Sequence, residues 1–188
     1  VDANDQAFED HTKPIGPFFT ETDAKSIQEE LGWQMAEDSG RGYRHVVPSP
    51  VPKHICDISL IEALSQRGTI VIAGGGGGIP VIRGANGIRH GVAAVIDKDL
   101  TSALIANILG IKDFMILTAT PKVAVNFGKS DQKFLDRVTL SEIKALKAEG
   151  HFPPGSMGPK IDASVRFLER GGERVIIADL EQAMGALA

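Results

Sequence analysis

Two carboxylates flank one ammonium in Asp97-Lys98-Asp99, at the junction between an apolar strand and a helix. Val95 and Ile96 end the apolar run, and apolar residues then recur at helical spacing from Leu100, so we expect the helix to begin at Asp99. An aspartate there can accept hydrogen bonds from backbone N–H groups as a helix cap. A cap together with a local charge pair is therefore one sufficient explanation of this charged cluster. The other explanation is that Asp99 orients lysines for chemistry.

Five consecutive glycines, Gly74 to Gly78, directly follow the apolar run 69–73. Such a loop exposes backbone N–H groups and lets a phosphate or carboxylate approach the main chain at the carboxyl end of a parallel strand. The named phosphate fingerprints do not match: no Gly-Lys-Ser/Thr follows, and Ile79 occupies the third glycine position of a dinucleotide motif. A packed or flexible turn is the alternative, although five glycines carry a large entropic cost.

A second glycine-rich segment, Gly155-Ser-Met-Gly-Pro-Lys160, leads into a predicted helix with Pro159 in its first turn. A lysine at the positive end of a helix dipole is unfavourable for the helix. Lys160 becomes reasonable there if an anion binds between it and the exposed N–H groups. The alternative is a solvated surface lysine.

Lys98 and Lys160, with Asp99 able to orient them, are suited to phosphoryl transfer, which relies on positioning and positive electrostatics more than on covalent work. The histidines show no paired spacing for a metal site, so we expect no protein metal centre; they are His11, His45, His54, His90 and His151. Cys56 follows an apolar residue, and we expect it to be a buried structural thiol.

The composition is that of one ordinary soluble domain: 188 residues, 43% hydrophobic and 23% charged. A net charge of −4 provides no basic footprint for nucleic acid. A single cysteine excludes an internal disulfide framework and fits a reducing cytosol. We expect no membrane span, because no apolar run approaches ~18 residues.

Apolar strands alternate with amphipathic helices, which predicts an α/β sandwich with a mainly parallel sheet. The predicted buried strands are 69–73, 114–118 and 175–178, and the predicted helices begin at Thr22 or Asp23, at Asp57, at Asp99, at the capping box of Thr139, near Pro159 and at Leu180. Residues 8–47 do not fit this alternation, and we expect them to form a protruding subdomain.

Seven motifs together resemble carbamate kinase, a family with the amino-acid-kinase fold. They are Thr12-Lys-Pro-Ile-Gly-Pro17, Glu37-Asp-Ser-Gly-Arg-Gly-Tyr-Arg44, Val47-Pro-Ser-Pro50, Gly75-Gly-Gly-Gly-Ile-Pro-Val81, Val95-Ile-Asp-Lys-Asp99, Asn126-Phe-Gly-Lys129 and Gly155-Ser-Met-Gly-Pro-Lys160. The motifs occur in the family's order over nearly the whole chain. The resemblance implies a three-layer α/β/α sandwich with a mainly parallel open sheet, forming one domain over 1–188 with a lid subdomain at 8–47.

The resemblance also implies reversible phosphoryl transfer between ATP and carbamate, giving ADP and carbamoyl phosphate with Mg²⁺. It implies a cytoplasmic homodimer that makes ATP during the breakdown of arginine or related ureido compounds, with no nucleic-acid or membrane partner.

The resemblance assigns roles to individual residues. Lys98 and Lys160 would stabilise the transferring phosphoryl group, Asp99 would organise them, and Lys13 would be brought to the carbamate side by the lid. Gly75, Gly76 and Gly77 would contact carbamate or the phosphoryl group. The nucleotide would lie along residues 117–129 and the glycine-rich helix start; the residues assigned to it are Leu117, Thr118, Lys129, Met157 and Gly158.

Two segments typical of the family are missing: an initial strand ending in Gly-Gly-Asn, and a Gly-Asn-Gly-Pro segment. We therefore expect the chain to correspond to roughly the C-terminal two-thirds of such an enzyme. Ala119-Thr-Pro121 also replaces the family's usual turn after the strand. Two alternatives stay open: a non-catalytic remnant that retains only nucleotide binding, and a sibling kinase acting on an amino acid or acyl carboxylate.

Overall fold

The structure, a computed structural model, describes residues 1–38, 40–152 and 157–187. The chain divides into two compact units. The first consists of Val1–Ile55 and Gly74–Lys98, and the second of Cys56–Ala73 and Asp99–Ala188. The expectation of a single domain over 1–188 with a lid at 8–47 stays a prediction.

The first unit contains a small antiparallel sheet with strand order β1-β3-β2, built from β1 (Lys13–Phe19), β2 (Met35–Glu37) and β3 (Tyr43–Val47). Helix α1 (Glu21–Leu31) follows β1 and ends at Gly32, whose φ of 68° is left-handed. The helix is capped by Thr20, whose hydroxyl accepts a hydrogen bond from the N–H of Asp23. The predicted cap at Thr22 or Asp23 was wrong, because Asp23 supplies the donor that a cap must satisfy.

A hairpin of β4 (Val81–Arg83) and β5 (Arg89–Gly91) completes the strands of the first unit. The segment that precedes the next helix is tied to the small sheet, since the N–H of Val95 donates to the carbonyl of Pro48 at 2.9 Å. Pro48 directly follows β3, so this bond holds residues 95–97 against the end of that strand.

The second unit alternates helices and strands. Its elements are α2 (Ile58–Gln66), α3 (Lys98–Ile108, whose first residue belongs to the first unit), β6 (Asp113–Thr118), β7 (Ala124–Val125), β8 (Lys133–Phe134), α4 (Leu140–Ala148), α5 (Met157–Glu169), β9 (Arg174–Asp179) and α6 (Ala183–Leu187). Strands β6 and β9 pair in parallel over their full lengths. The strands predicted at 114–118 and 175–178 are confirmed as this pair.

Helices α3 and α5 pack on the parallel pair through small and aromatic side chains. Ala103 and Ala163 are buried and bring the helices close, while Phe167 fills the space against Phe114 of β6, with ring centroids 5.3 Å apart. A second core cluster joins α4 to α5 and contains Ile143, Phe152, Ile161 and Val165. Helix α5 therefore contributes side chains to both core clusters of the second unit.

The predicted capping box at Thr139 is confirmed. The Thr139 hydroxyl accepts from the N–H of Glu142, and the Glu142 carboxylate accepts from the N–H of Thr139 at 2.6 Å. These hydrogen bonds hold the pKa of Glu142 below its usual value.

The strand predicted at 69–73 is wrong for the part of the chain that the structure describes. These residues pair with no described strand, and Ile70 and Ile72 are 94% and 98% exposed. Val71 and Ala73 face a groove of about 250 Å³ beside α3. An apolar run becomes a strand only where neighbouring strands supply hydrogen-bond partners, and none of the described strands lies beside this run.

Three further local expectations need correction. Helix α3 begins at Lys98, so Asp99 lies inside its first turn instead of capping it. Asp57 precedes α2 but makes no capping hydrogen bond with its side chain. Cys56 is exposed, not buried, because it lies in the turn before α2 and not on an apolar face.

In the described ranges, no helix combines the length and the apolar character that crossing a bilayer requires.

Candidate active site

A buried ion pair joins the first turns of α3 and α5 in the second unit. Lys160 Nζ donates to Asp99 Oδ2 at 2.9 Å, and the two side chains are 13% and 8% exposed. One turn later in α5, the Ser164 hydroxyl donates to the carbonyl of Lys160 at 2.7 Å. Asp99 therefore holds an ammonium at a helix N-terminus that would otherwise repel it.

This burial removes one of the alternatives for Lys160. A solvated surface lysine would extend into water, whereas this side chain lies against a carboxylate from another helix. Burying a charged pair costs desolvation energy, so the pair is not explained as a simple stabilising contact. A fixed ammonium with N–H groups of the first helical turn nearby can bind an anionic oxygen.

A second ion pair lies in the first unit. Lys13, at the start of β1, places Nζ 2.5 Å from Asp97 Oδ2; the side chains are 27% and 7% exposed. The sequence assigned no role to Asp97, and its pairing with Lys13 was missed. The two residues are 84 positions apart, and only the rule that a buried carboxylate needs a cation could have indicated a partner.

The glycine loop combines packing and open backbone. A Cβ on Gly77 would lie 2.1 Å from the carbonyl oxygen of Ile96, and Gly77 has a φ of 133°, so this position packs directly on the backbone before Asp97. Gly75 and Gly76 are exposed, and a Cβ at either position would meet no atom within 4 Å. The packed-turn interpretation therefore applies to Gly77, while Gly75 and Gly76 leave space for a ligand.

Lys98 is the exposed first residue of α3 and lies between the two buried carboxylates in sequence. Each neighbouring aspartate holds another lysine, Asp97 in the first unit and Asp99 in the second. The contact of Asp99 with Lys160 agrees with the expectation, and the role of Asp99 in orienting the lysines for chemistry stays a prediction.

The residues assigned to the nucleotide all lie in the second unit. Leu117 and Thr118 end β6, at the carboxyl edge that the parallel pair shares, and Thr118 is in register with Asp179 of β9. Lys129 lies in the connection between β7 and β8, with its N–H donating to the carbonyl of Asn126. Met157 and Gly158 begin α5. Ligands of open α/β sheets bind at such strand ends.

Parts of two predicted motifs, Ser39, Gly155 and Ser156, lie outside the described residues. In the described ranges, no group of three or more histidine, cysteine, aspartate or glutamate side chains is arranged to hold a metal ion.

The fold and the site define an α/β protein in which a carboxylate in the first turn of α3, Asp99, holds an ammonium in the first turn of α5, Lys160. A family model described as the amino acid kinase family matches residues 5–179. The chain belongs to the amino acid kinase family.

Several sequence relatives of the chain are named as carbamate kinases or as carbamate kinase-like proteins. The chain is 51% identical over 187 residues to the carbamate kinase of Thermococcus kodakarensis, a match that covers 100% of this chain and 59% of that protein. It is 49% identical over 188 residues to the carbamate kinase-like protein YahI of Escherichia coli, covering 100% of this chain and 60% of that protein. The chain thus spans about three fifths of the length of these relatives.

A solved structure agrees with the sequence matches. Carbamate kinase from Giardia lamblia bound to AMP-PNP shares 45% identity and a TM-score of 0.83, over 100% of this chain and 59% of that chain.

Proposed function

We propose that the protein, in its full length, is a carbamate kinase that transfers a phosphoryl group reversibly between ATP and carbamate. The observation that carries this proposal is the buried pair of Asp99 and Lys160 at the start of α5. The similarity to carbamate kinases over all of the present chain supports the choice of carbamate as acceptor.

The transfer forms a bond between a carbamate oxygen and the γ-phosphorus of ATP and breaks the bond from that phosphorus to the ADP oxygen. Negative charge on the equatorial oxygens must be stabilised while the group moves. In our proposal Lys160 and Lys98 supply the positive charge. Asp99 fixes Lys160 before substrate binds, so the ammonium needs little reorganisation during the reaction.

The remaining roles are assigned by position and resemblance. Lys13, held by Asp97, acts on the carbamate side, and Gly75 and Gly76 offer open backbone N–H groups to carbamate or the phosphoryl group. Gly77 is also part of this loop, with packing as its first task. The nucleotide contacts are assigned to Leu117, Thr118, Lys129, Met157 and Gly158.

Mg²⁺ belongs to the proposal through the nucleotide. This ion is usually held by one or two carboxylates together with substrate phosphates and waters, so it does not need a cage of protein ligands. When bound, it would neutralise charge on the ATP phosphates. We further propose a cytoplasmic homodimer that works mainly in the direction of ATP formation, during breakdown of arginine or related ureido compounds.

The direct test is ATP synthesis from carbamoyl phosphate. The full-length protein is incubated with ADP, Mg²⁺ and carbamoyl phosphate, and ATP is measured by luciferase. Acetyl phosphate in place of carbamoyl phosphate is the matched control for a kinase of another carboxylate. ATP formation that requires carbamoyl phosphate supports the proposal. Calorimetric ADP binding without any ATP formation at high enzyme concentration would refute it.

A further inference from the structure

Strand β1, which carries Lys13, is irregular where it pairs with β3. Ile15 pairs with His45 and Phe19 pairs with Tyr43, so three residues of β1 lie opposite the single residue Arg44. The pairing is therefore interrupted by a bulge at residues 16–18, in which Gly16 has a left-handed φ of 71°.

The backbone of β1 can make few ladder hydrogen bonds in this region. Pro14 and Pro17 lack an N–H, so neither can donate to β3. Another group has to hold the strand in place if Lys13 is to keep its position.

Arg44 provides that group. Its Nε and Nη2 both donate to the carbonyl oxygen of Gly16, at 3.1 and 2.9 Å, and its Nη1 donates to Asp38 Oδ2 at 3.2 Å. Its guanidinium also lies 5.1 Å from the ring centroid of Phe18. One side chain thus binds the backbone and a ring of the bulge, and its planar fork is oriented by a buried carboxylate.

Arg41 offers an internal comparison. Its Nη2 donates to both oxygens of Asp38 at 3.1 Å, and its guanidinium lies 4.8 Å from the Phe18 ring centroid. In the described part of the chain, Arg41 therefore shares the carboxylate and the ring with Arg44 but does not donate to the Gly16 carbonyl.

We propose that Arg44, oriented by Asp38, is a positioning residue that fixes the β1 bulge and thereby holds the Lys13 ammonium against Asp97. Lys13 lies three residues before Gly16 on the same strand, and its contact with Asp97 is within the same unit. The effect on catalysis rests on the proposed function, in which Lys13 acts on the carbamate side.

The test compares Arg44→Lys with Arg41→Lys in the full-length protein. A lysine has one point charge and cannot bind Gly16 and Asp38 together as the guanidinium does. In Arg44→Lys, acetylation of Lys13, followed by mass spectrometry, should rise about fivefold, as expected when a hydrogen bond of ordinary strength is lost. Labelling of Lys25, which is exposed on α1, and of buried Lys160 should stay unchanged.

The kinetic arm separates positioning from general damage. In Arg44→Lys, the KM for carbamoyl phosphate should rise about tenfold while the KM for ADP stays within about twofold, because a charge-assisted contact to one substrate is misplaced. Arg41→Lys should change neither KM by more than about twofold.

Unchanged Lys13 labelling in Arg44→Lys, or equal rises in both variants, would overturn the inference whatever the activity. So would an unchanged KM for carbamoyl phosphate in an active Arg44→Lys protein. A wild-type protein that makes no ATP would instead refute the proposed function, and the Lys13 labelling result would still decide the inference.

Discussion

Gly77 is the position where the structure allows the most specific prediction. An alanine Cβ there would lie 2.1 Å from the Ile96 oxygen and 2.8 Å from the Ile96 carbonyl carbon. Both atoms belong to the backbone, so they cannot rotate away as a side chain would. The φ of 133° adds conformational strain for any residue other than glycine.

The cost has two parts. A non-glycine residue in a sparsely populated backbone region costs about 1–3 kcal/mol, and overpacking against a fixed neighbour costs about 1–3 kcal/mol. Gly77→Ala should therefore destabilise the first unit by about 2–6 kcal/mol. Gly76→Ala is the matched control, because a Cβ there meets no atom within 4 Å. It should be neutral or stabilising by about 0.4–1 kcal/mol through the unfolded chain.

Urea unfolding measures this difference. Trp33 is the single tryptophan of the sequence and lies in the same unit as Gly77, so its fluorescence follows unfolding of that region. With an m-value of about 2 kcal/mol per molar urea, the middle of the usual range, the midpoint for Gly77→Ala should fall by about 1–3 M. Equal midpoints for Gly77→Ala and Gly76→Ala would show that the loop does not pack on Ile96 as described.

Two further predictions concern local stability. Thr139→Ala should lower the free energy of unfolding by about 1 kcal/mol, because it removes the hydroxyl that accepts from the N–H of Glu142 in the capping box on α4. Ser141→Ala on the exposed face should change it by less than about 0.5 kcal/mol. Calorimetric melting of both variants measures this, and equal melting temperatures would contradict the cap. Burial lowers the pKa of His45, whose ring stacks on Trp33 at 4.3 Å. The folded state thus binds fewer protons than the unfolded chain, and stability should fall as pH decreases below about 6.5. Urea midpoints at pH 7.5 and 5.5 should show this slope, and His45→Gln should reduce it; an identical slope in the variant would assign the dependence to another group.

The parts of the fold that sequence predicted well are those decided by local chemistry. The capping box of Thr139 needs only residues three apart, and its prediction was confirmed. The apolar runs at 114–118 and 175–178 form strands because they pair with each other in parallel. The equally apolar run 69–73 did not, since strand formation depends on neighbours that the run itself does not encode.

The site was predicted unevenly for a related reason. The pairing of Asp99 with Lys160 was expected because both residues stood at predicted helix starts, where a carboxylate can orient an ammonium. The pair of Lys13 and Asp97 was missed, because no spacing rule connects residues of different elements so far apart in sequence. The bulge held by Arg44 could not be predicted from the sequence either, because it depends on the register between β1 and β3.

The position of Lys160 against Asp99 also sets the stability change that we expect when the lysine is replaced. An exposed lysine would change stability by roughly 0.5 kcal/mol or less when replaced, but Lys160 is buried against Asp99. Lys160→Met removes the ammonium that Asp99 contacts at 2.9 Å, and it should destabilise the protein by up to about 3–5 kcal/mol. A loss of activity in this variant alone would therefore not separate chemistry from folding.

The most direct test of the central claim combines Lys160→Met with Asp99→Asn in the full-length protein. The double variant should regain most of the stability lost by Lys160→Met, because Asp99→Asn also removes the buried carboxylate charge that Lys160 balances. Its rate of ATP formation from carbamoyl phosphate should stay about 10²–10³-fold below wild type. The control Lys147→Met, which breaks the more exposed pair with Asp162 on α5, should keep nearly full activity. A stable double variant with wild-type turnover would contradict the assignment of Lys160 to phosphoryl transfer.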